Sequence, residues 1–141
     1  MKPSISVVTL GVDDLGRSLE FYKNGLGWPT TAAKDDPIAF FQLNGAILAL
    51  YDRSSLAEDA NVGPRGSGFS GMTLAQNVGS EEEVDEIFSH VAKLGAKIPK
   101  KPQKASWGGY SGYFEDPDGH LWEVAYNPYW KLDRKGNVVL P

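Results

Sequence analysis

The chain opens with a run of apolar and β-branched residues, Ser4–Val12, that is too continuous for a strand with one solvated face. It predicts a buried β-strand. Apolar residues then recur at helical spacing over Leu15–Asn24. Asp13 or Asp14 supplies an N-cap and Asn24-Gly25 a stop signal, so this stretch is predicted to be a helix.

Each half of the chain closes with a predicted hairpin. The first runs from Phe40–Leu43 through Asn44-Gly45 into Ala46–Tyr51, and the second from Tyr113–Glu115 through Asp118-Gly119 into His120–Tyr126. Asn-Gly and Asp-Gly favour type I′ turns, in which both central residues have positive φ. The hairpins therefore indicate an internal repeat.

The beginnings of the two halves also align. Superposing the Thr-Leu pairs of Val8-Thr9-Leu10 and Met72-Thr73-Leu74 sets Val7 opposite Gly71, and superposing the turns sets Ala49 opposite Glu123. The repeat thus pairs positions on corresponding strands.

The second half has a clearly marked helix over Glu81–Leu94. Ser80 and Glu83 form a capping box, Gly95 marks the end, and an apolar stripe lies between them, made of Val84, Ile87, Phe88, Val91 and Leu94. The following stretch, Ala96–Gln103, contains two prolines and several lysines. It predicts an edge strand, since proline cannot donate to a central ladder.

Each half therefore has the pattern β-α-β-β-β, with eight short strands and two helices in all. This pattern favours an α+β fold over a doubly wound sheet. We expect one domain, 1–141, with module one at about 4–51, a linker at about 52–67, module two at about 68–127 and a tail at 128–141. The tail either forms a small hairpin about Gly136-Asn137 or packs against a partner subunit.

Composition narrows the class of protein. The chain has 141 residues, a formal net charge of −4 and no cysteine. These values give no reason to expect a nucleic-acid or anionic-membrane partner, a disulfide or a thiolate site. No apolar stretch approaches the ~18 residues that cross a bilayer, and no secretory signal is recognised, so we expect a cytoplasmic protein.

The order of the motifs resembles the vicinal-oxygen-chelate superfamily, which includes glyoxalase I, bleomycin-resistance proteins, fosfomycin-resistance enzymes and extradiol dioxygenases. The motifs are Thr9–Leu15, Ser18–Tyr22, Leu26–Trp28 and Asp116–Glu123, and the resemblance runs from Ser4 to about Asn127. It implies that two β-α-β-β-β modules pair into a cupped mixed sheet, the glyoxalase-like fold. Dimers are common in this family, so it also implies a homodimer.

In metalloenzymes of this superfamily one metal ligand lies on each first strand and one on each last strand, and the ion chelates neighbouring oxygens of the substrate. Carried onto this chain, those positions fall at Val7, Ala49, Gly71 and Glu123. Only Glu123 offers a donor atom, whereas a bound divalent ion typically needs three or more protein ligands. We therefore expect a degenerate metal site, with Glu123 its remnant, and no cofactor.

Strand alternation predicts which residues share the cup with Glu123. The lining is small and mainly apolar, with hydroxyls from Thr9, Tyr51 and Thr73. Trp107 and Tyr110 lie in a glycine-rich aromatic segment that the resemblance places near the mouth of the cup; the alternative is local packing. The predicted ligand-binding residues are Val7, Thr9, Ala49, Tyr51, Gly71, Thr73, Trp107 and Tyr110.

An unpaired carboxylate surrounded by apolar groups, as predicted for Glu123, needs a hydrogen-bond partner or a raised pKa. It either exchanges a proton with a ligand as a catalytic acid or base, or it is a relic that is hydrogen-bonded to Thr9, Thr73 or Tyr51. The two histidines, His90 and His120, do not fit a metal triad, because alternation turns His120 away from Glu123 and His90 flanks the helical stripe.

Three functions remain open. The first is a metal-independent protein of the bleomycin-resistance type that binds a small molecule. The second is a glyoxalase-related enzyme, lyase or dioxygenase-like, that uses Glu123 as an acid or base or as a remnant metal ligand. The third is a scaffold without a ligand. The lost ligand positions favour the first.

Overall fold

The computed structural model describes residues 7–61, 63–66, 68–70 and 72–139. The chain divides into two compact units, Met1–Ser70 and Gly71–Pro141. Each unit combines a small β-sheet with helices, so the protein belongs to the α+β class. In the described residues no helix is long and apolar enough to span a membrane.

The first unit has a three-stranded sheet in the order β1-β3-β2. Strand β1 is parallel to β3, and β2 is antiparallel to it. Its elements are β1 Val7–Val12, α1 Leu15–Leu19, a π-helical continuation Glu20–Gly25, β2 Ile38–Gln42, β3 Ile47–Asp52 and α2 Arg53–Asp59.

The first helix begins as predicted at Asp14, whose carboxylate accepts a hydrogen bond from the Arg17 N–H. Its second half widens into a π-helix, in which the Leu26 N–H reaches back five residues to the Phe21 carbonyl. The helix ends at Gly25, within the predicted stop signal.

In the residues described for the first unit there are three strands, one fewer than the predicted β-α-β-β-β pattern. Between Gly27 and β2 several backbone donors are satisfied close by: Trp28 N–H by the Tyr22 carbonyl, Ala32 N–H by the Thr30 hydroxyl and Ala33 N–H by the Asp36 carboxylate. Pro29 has no N–H to offer. Because these donors are satisfied locally, the segment makes no β-ladder.

The segment predicted as a linker also contains a helix, α2. Asp52 caps it by accepting from both the N–H and the hydroxyl of Ser55, and Ala57 is buried. The sequence analysis missed this helix because its seven residues carry only a short apolar stripe.

The second unit has a four-stranded sheet in the order β4-β7-β6-β5, so β5 is an edge strand as predicted. A short hairpin of β8 and β9 follows, which is the first of the two alternatives for the tail. The elements are β4 Leu74–Val78, α3 Glu81–Lys93, β5 Lys100–Lys104, β6 Tyr110–Glu115, β7 Leu121–Tyr126, β8 Lys131–Leu132 and β9 Val138–Val139.

Helix α3 starts and ends as predicted. The Ser80 hydroxyl accepts from the Glu83 N–H, while the Glu83 carboxylate accepts from the Gly79 N–H. At the other end Gly95 has φ +82, and its N–H donates to the Ala92 carbonyl while the Ala96 N–H donates to that of Val91. This is a Schellman motif.

The apolar side of α3 packs on one face of the second sheet. The rings of Phe88 and Phe114 meet edge to face with centroids 6.1 Å apart. A Cβ added at Gly112 would lie only 2.7 Å from the Phe88 ring and 2.8 Å from the Lys100 carbonyl. Gly112 therefore lets the helix and strand β5 approach strand β6 closely.

Both predicted hairpins form, but not with type I′ turns. Gly45 and Gly119 have positive φ, whereas Asn44 and Asp118 do not. In the second hairpin the residues Asp116–His120 connect the last paired residues, Glu115 and Leu121. The buried Asp116 carboxylate fixes this loop by accepting from the Asp118 and His120 N–H groups.

Replacing Gly112 by alanine tests the packing of α3. We expect Gly112→Ala to lower the free energy of unfolding by about 1–3 kcal/mol, because the methyl group must displace Phe88 or the β5 backbone. Gly66→Ala is the control, since no atom lies within 4 Å of a Cβ added there. Urea denaturation followed by circular dichroism measures both, and equal stabilities would contradict the expected clash.

Candidate functional site

Glu123 lies in the middle of β7, the central strand next to β4 and β6. Its neighbours Trp122 and Val124 are buried on the side of α3, so Glu123 points to the other side. We call this other side the Glu123 face. Its positions along the paired strands are Ala75, Asn77, Lys100, Gln103, Ser111, Tyr113, Glu115, Leu121, Glu123 and Ala125.

One row of this face crosses all four strands. Ala75 pairs with Glu123, Glu123 with Tyr113, and Tyr113 with Lys100. The negative charge of the Glu123 carboxylate acts on the Tyr113 hydroxyl across the two strands. The Lys100 ammonium lies 5.8 Å from the centroid of the Tyr113 ring, a cation–π distance. An acid, a phenol and a cation are thus aligned on adjacent strands.

Burial and the Glu123 charge together raise the pKa of the Tyr113 hydroxyl above its ordinary value. Burial is the larger cause, followed by the negative charge of Glu123 and then by the hydrogen bond. All three disfavour the phenolate. Tyr113 therefore remains a neutral hydrogen-bond donor well above neutral pH.

A hydrogen bond to Glu123 from Thr9, Thr73 or Tyr51, one of the two alternatives for this carboxylate, stays a prediction. The residue opposite Glu123 on strand β6 is Tyr113. A two-residue turn at Asp118-Gly119 would set Phe114 opposite Glu123. The longer loop sets Tyr113 there instead, and this one-residue difference decides which side chain shares the face.

The predicted residues of the first unit lie on the corresponding face of its own sheet. Thr9 pairs with Ala49, which pairs in turn with the exposed Phe40. Tyr51 lies two residues along β3, and Val7 at the start of β1 is 45% exposed. The row equivalent to Glu123 and Tyr113 therefore holds Ala49 and Phe40, which have no polar side-chain atom.

Strand pairing also shifts the internal repeat. Val8 lies opposite Leu48, and Leu74 lies opposite Trp122. When Gly45 and Gly119 are superposed, Thr9 corresponds to Ala75 rather than to Thr73. Because the two positions are two residues apart, Ala75 is still on the face predicted for Thr73. Thr73 is exposed just before β4, and Gly71 lies outside the described residues.

The two aromatic candidates of the second unit lie apart from Glu123. Tyr110 is on the α3 side of β6, where its hydroxyl donates to Asp85 at 2.8 Å. That bond is also the main cause of its raised pKa. Trp107 is in the turn between β5 and β6, with its ring over Gly109, and is 48% exposed. Neither shares a strand row with Glu123.

Residues 4–124 match the family model described as the glyoxalase/bleomycin resistance protein/dioxygenase superfamily. The chain belongs to this superfamily. A metallothiol transferase FosB from Lysinibacillus sphaericus is 31% identical over 120 residues, which cover 85% of this chain and 79% of the transferase. A bleomycin resistance protein from Geobacillus stearothermophilus is 27% identical and covers 82% of this chain and 91% of its own length.

Solved structures of this superfamily have the same fold. A glyoxalase-related enzyme from Fulvimarina pelagi superposes with a TM-score of 0.87 and 36% identity, covering 99% of both chains. A lactoylglutathione lyase from Agrobacterium tumefaciens superposes with a TM-score of 0.70 and 25% identity, covering 94% of this chain and all of the lyase. The predicted fold and family are both confirmed.

The side chains at the superfamily's metal positions do not suit a divalent ion. At the positions where the resemblance places metal ligands, Val7 and Ala49 carry no donor atom and Glu123 carries one carboxylate. Across the described ranges no group of three or more His, Cys, Asp or Glu side chains could hold a metal ion. The donor set therefore does not fit the metal that the superfamily's metalloenzymes use.

Changing Glu123 to glutamine should lower the pKa of Tyr113. The variant removes the negative charge that disfavours the phenolate, so the pKa should fall while burial keeps it above its ordinary value. Titration of the tyrosine ζ-carbons by NMR measures the change. Glu115→Gln, on the same face, is the control and should leave the Tyr113 pKa unaltered; an equal fall in both variants would contradict the effect assigned to Glu123.

Proposed function

We propose that this protein binds a small organic molecule against the Glu123 face and does so without a metal ion at the superfamily's ligand positions. The observation that carries the proposal is the pairing of Glu123 with Tyr113 on adjacent strands, which puts an acid and a phenol side by side on one face. At the positions where the resemblance places metal ligands, only Glu123 offers a donor atom, and one carboxylate is too few for a bound divalent ion. The kinship with bleomycin resistance proteins supports a binding role.

The character of the Glu123 face also supports binding. Ser111 and Ala125 are buried beside the pair, while Glu123 and Tyr113 are half-buried. A small group of polar atoms among small, shielded side chains is the usual composition of a ligand site. Such surroundings strengthen a hydrogen bond to a carboxylate because water competes less well for it.

A second candidate function is metal-free catalysis, favoured by the same pair. A carboxylate hydrogen-bonded to a neutral phenol can accept a proton from a bound molecule. Two relatives are named for enzymes, a metallothiol transferase and a glyoxalase-related enzyme. Turnover of a glyoxalase-type substrate by chelator-treated protein, lost in Glu123→Gln, would favour catalysis over binding.

The metal prediction can be tested on purified protein. After expression in metal-supplemented medium we expect less than stoichiometric metal by elemental mass spectrometry. Manganese, nickel, zinc or iron should not raise the Tm, because only one position of four offers a donor. Glu123→Gln is the matched control. A stoichiometric metal and a higher Tm, both lost in that variant, would contradict the proposal.

The binding surface can be mapped without knowing the natural ligand. In a fragment screen monitored by amide NMR, we expect the largest shifts in β6 and β7 near Tyr113 and Glu123. The amides of the β8–β9 hairpin should not move and serve as the internal control. If no fragment perturbs β6 or β7, the protein does not bind small molecules at this face.

A further inference from the structure

We infer that Glu123 and Tyr113 recognise a hydrogen-bond donor on the ligand, above all a protonated amine, at the position where related metalloenzymes hold a divalent ion. This inference rests on the proposed function and adds to it the chemistry of the ligand. It follows from the disagreement between the superfamily's metal site and the side chains of this chain.

The first step concerns the acceptor capacity of Glu123. An ionised carboxylate has about four lone-pair positions, of which the hydroxyl of the cross-strand neighbour Tyr113 can fill one. Across the row on the other side lies Ala75, whose methyl side chain has nothing to donate. Within its own row, Glu123 therefore keeps acceptor positions for a bound molecule.

The second step concerns what such a group attracts. A divalent ion binds oxygen atoms, so it selects ligands that present acceptors. A carboxylate repels those same atoms and binds N–H and O–H groups, most strongly when the donor is charged. A ligand group that fits a metal ion is a hydrogen-bond acceptor. A ligand group that fits the Tyr113–Glu123 pair is therefore a hydrogen-bond donor instead.

The third step concerns the rest of the row. The Tyr113 ring already has a cation over it, since the Lys100 ammonium lies 5.8 Å from its centroid. The ring face is thus electronically suited to a positive charge. The opposing possibility is that Lys100 itself attracts an anion, and an experiment can separate the two because Lys100 and Glu123 lie on opposite sides of Tyr113.

Three probes with one ring and different head groups make the test: benzylamine, which is protonated at neutral pH, benzyl alcohol and benzoate. Amide NMR titrations give each dissociation constant. We expect benzylamine to bind most tightly, benzyl alcohol next and benzoate least. Glu123→Gln should weaken benzylamine binding about tenfold, the effect of losing a charge-assisted hydrogen bond.

Two further variants make the result specific. Glu86→Gln removes an exposed acid from α3, on the opposite side of the sheet from Glu123, and should change benzylamine binding less than twofold. Glu123→Asp keeps the charge and should retain the preference for benzylamine over benzoate. Unchanged amide spectra away from β6 and β7 show that each variant is folded.

Tighter binding of benzoate, lost in Lys100→Met, would overturn the inference. Equal benzylamine affinity in the wild type and Glu123→Gln would overturn it as well. In both cases, shifts in β6 and β7 would leave the proposed function standing. If none of the three probes binds, the inference fails, and the wider fragment screen then decides whether the proposed function fails with it.

Discussion

The packing of helix α3 on strand β6 is the contact that organises the second unit. Phe88 lies over Gly112, where no side chain intervenes, and meets the Phe114 ring edge to face. Phe114 and Trp122 are buried under the helix, so every second residue of β6 and β7 points to that side. The intervening residues, Tyr113 and Glu123 among them, must then occupy the other face. The chemistry of the candidate site is thus a consequence of core packing.

The pairing of Tyr113 with Glu123 also explains how a carboxylate is retained there. A half-buried charge is costly unless hydrogen bonds replace the water it loses. The neighbouring phenol can supply such a bond, because its raised pKa keeps it in the donating form.

The two units show how a repeated architecture can diverge in chemistry. Both place a parallel first strand beside the last strand and an antiparallel strand on its other side. The equivalent row holds Thr9, Ala49 and Phe40 in one unit and Ala75, Glu123 and Tyr113 in the other. Only the second row combines an acid with a phenol. The candidate site therefore consists of side chains of the second unit.

The sequence by itself determined the ends of α3, the edge position of β5, the face on which Glu123 lies and most of the elements, though not α2 or the number of strands in the first unit. These follow from local signals: helical spacing, capping residues, prolines and alternation along a single strand. The superfamily was recognised from the resemblance of its motif order. The tertiary structure alone decided that Tyr113, rather than Phe114 or a residue of another strand, meets Glu123, and that Tyr110 lies on the α3 side. The physical reason is that strand register depends on the exact length of the connecting loop. One extra residue, held by the buried Asp116, exchanges the two faces of the partner strand.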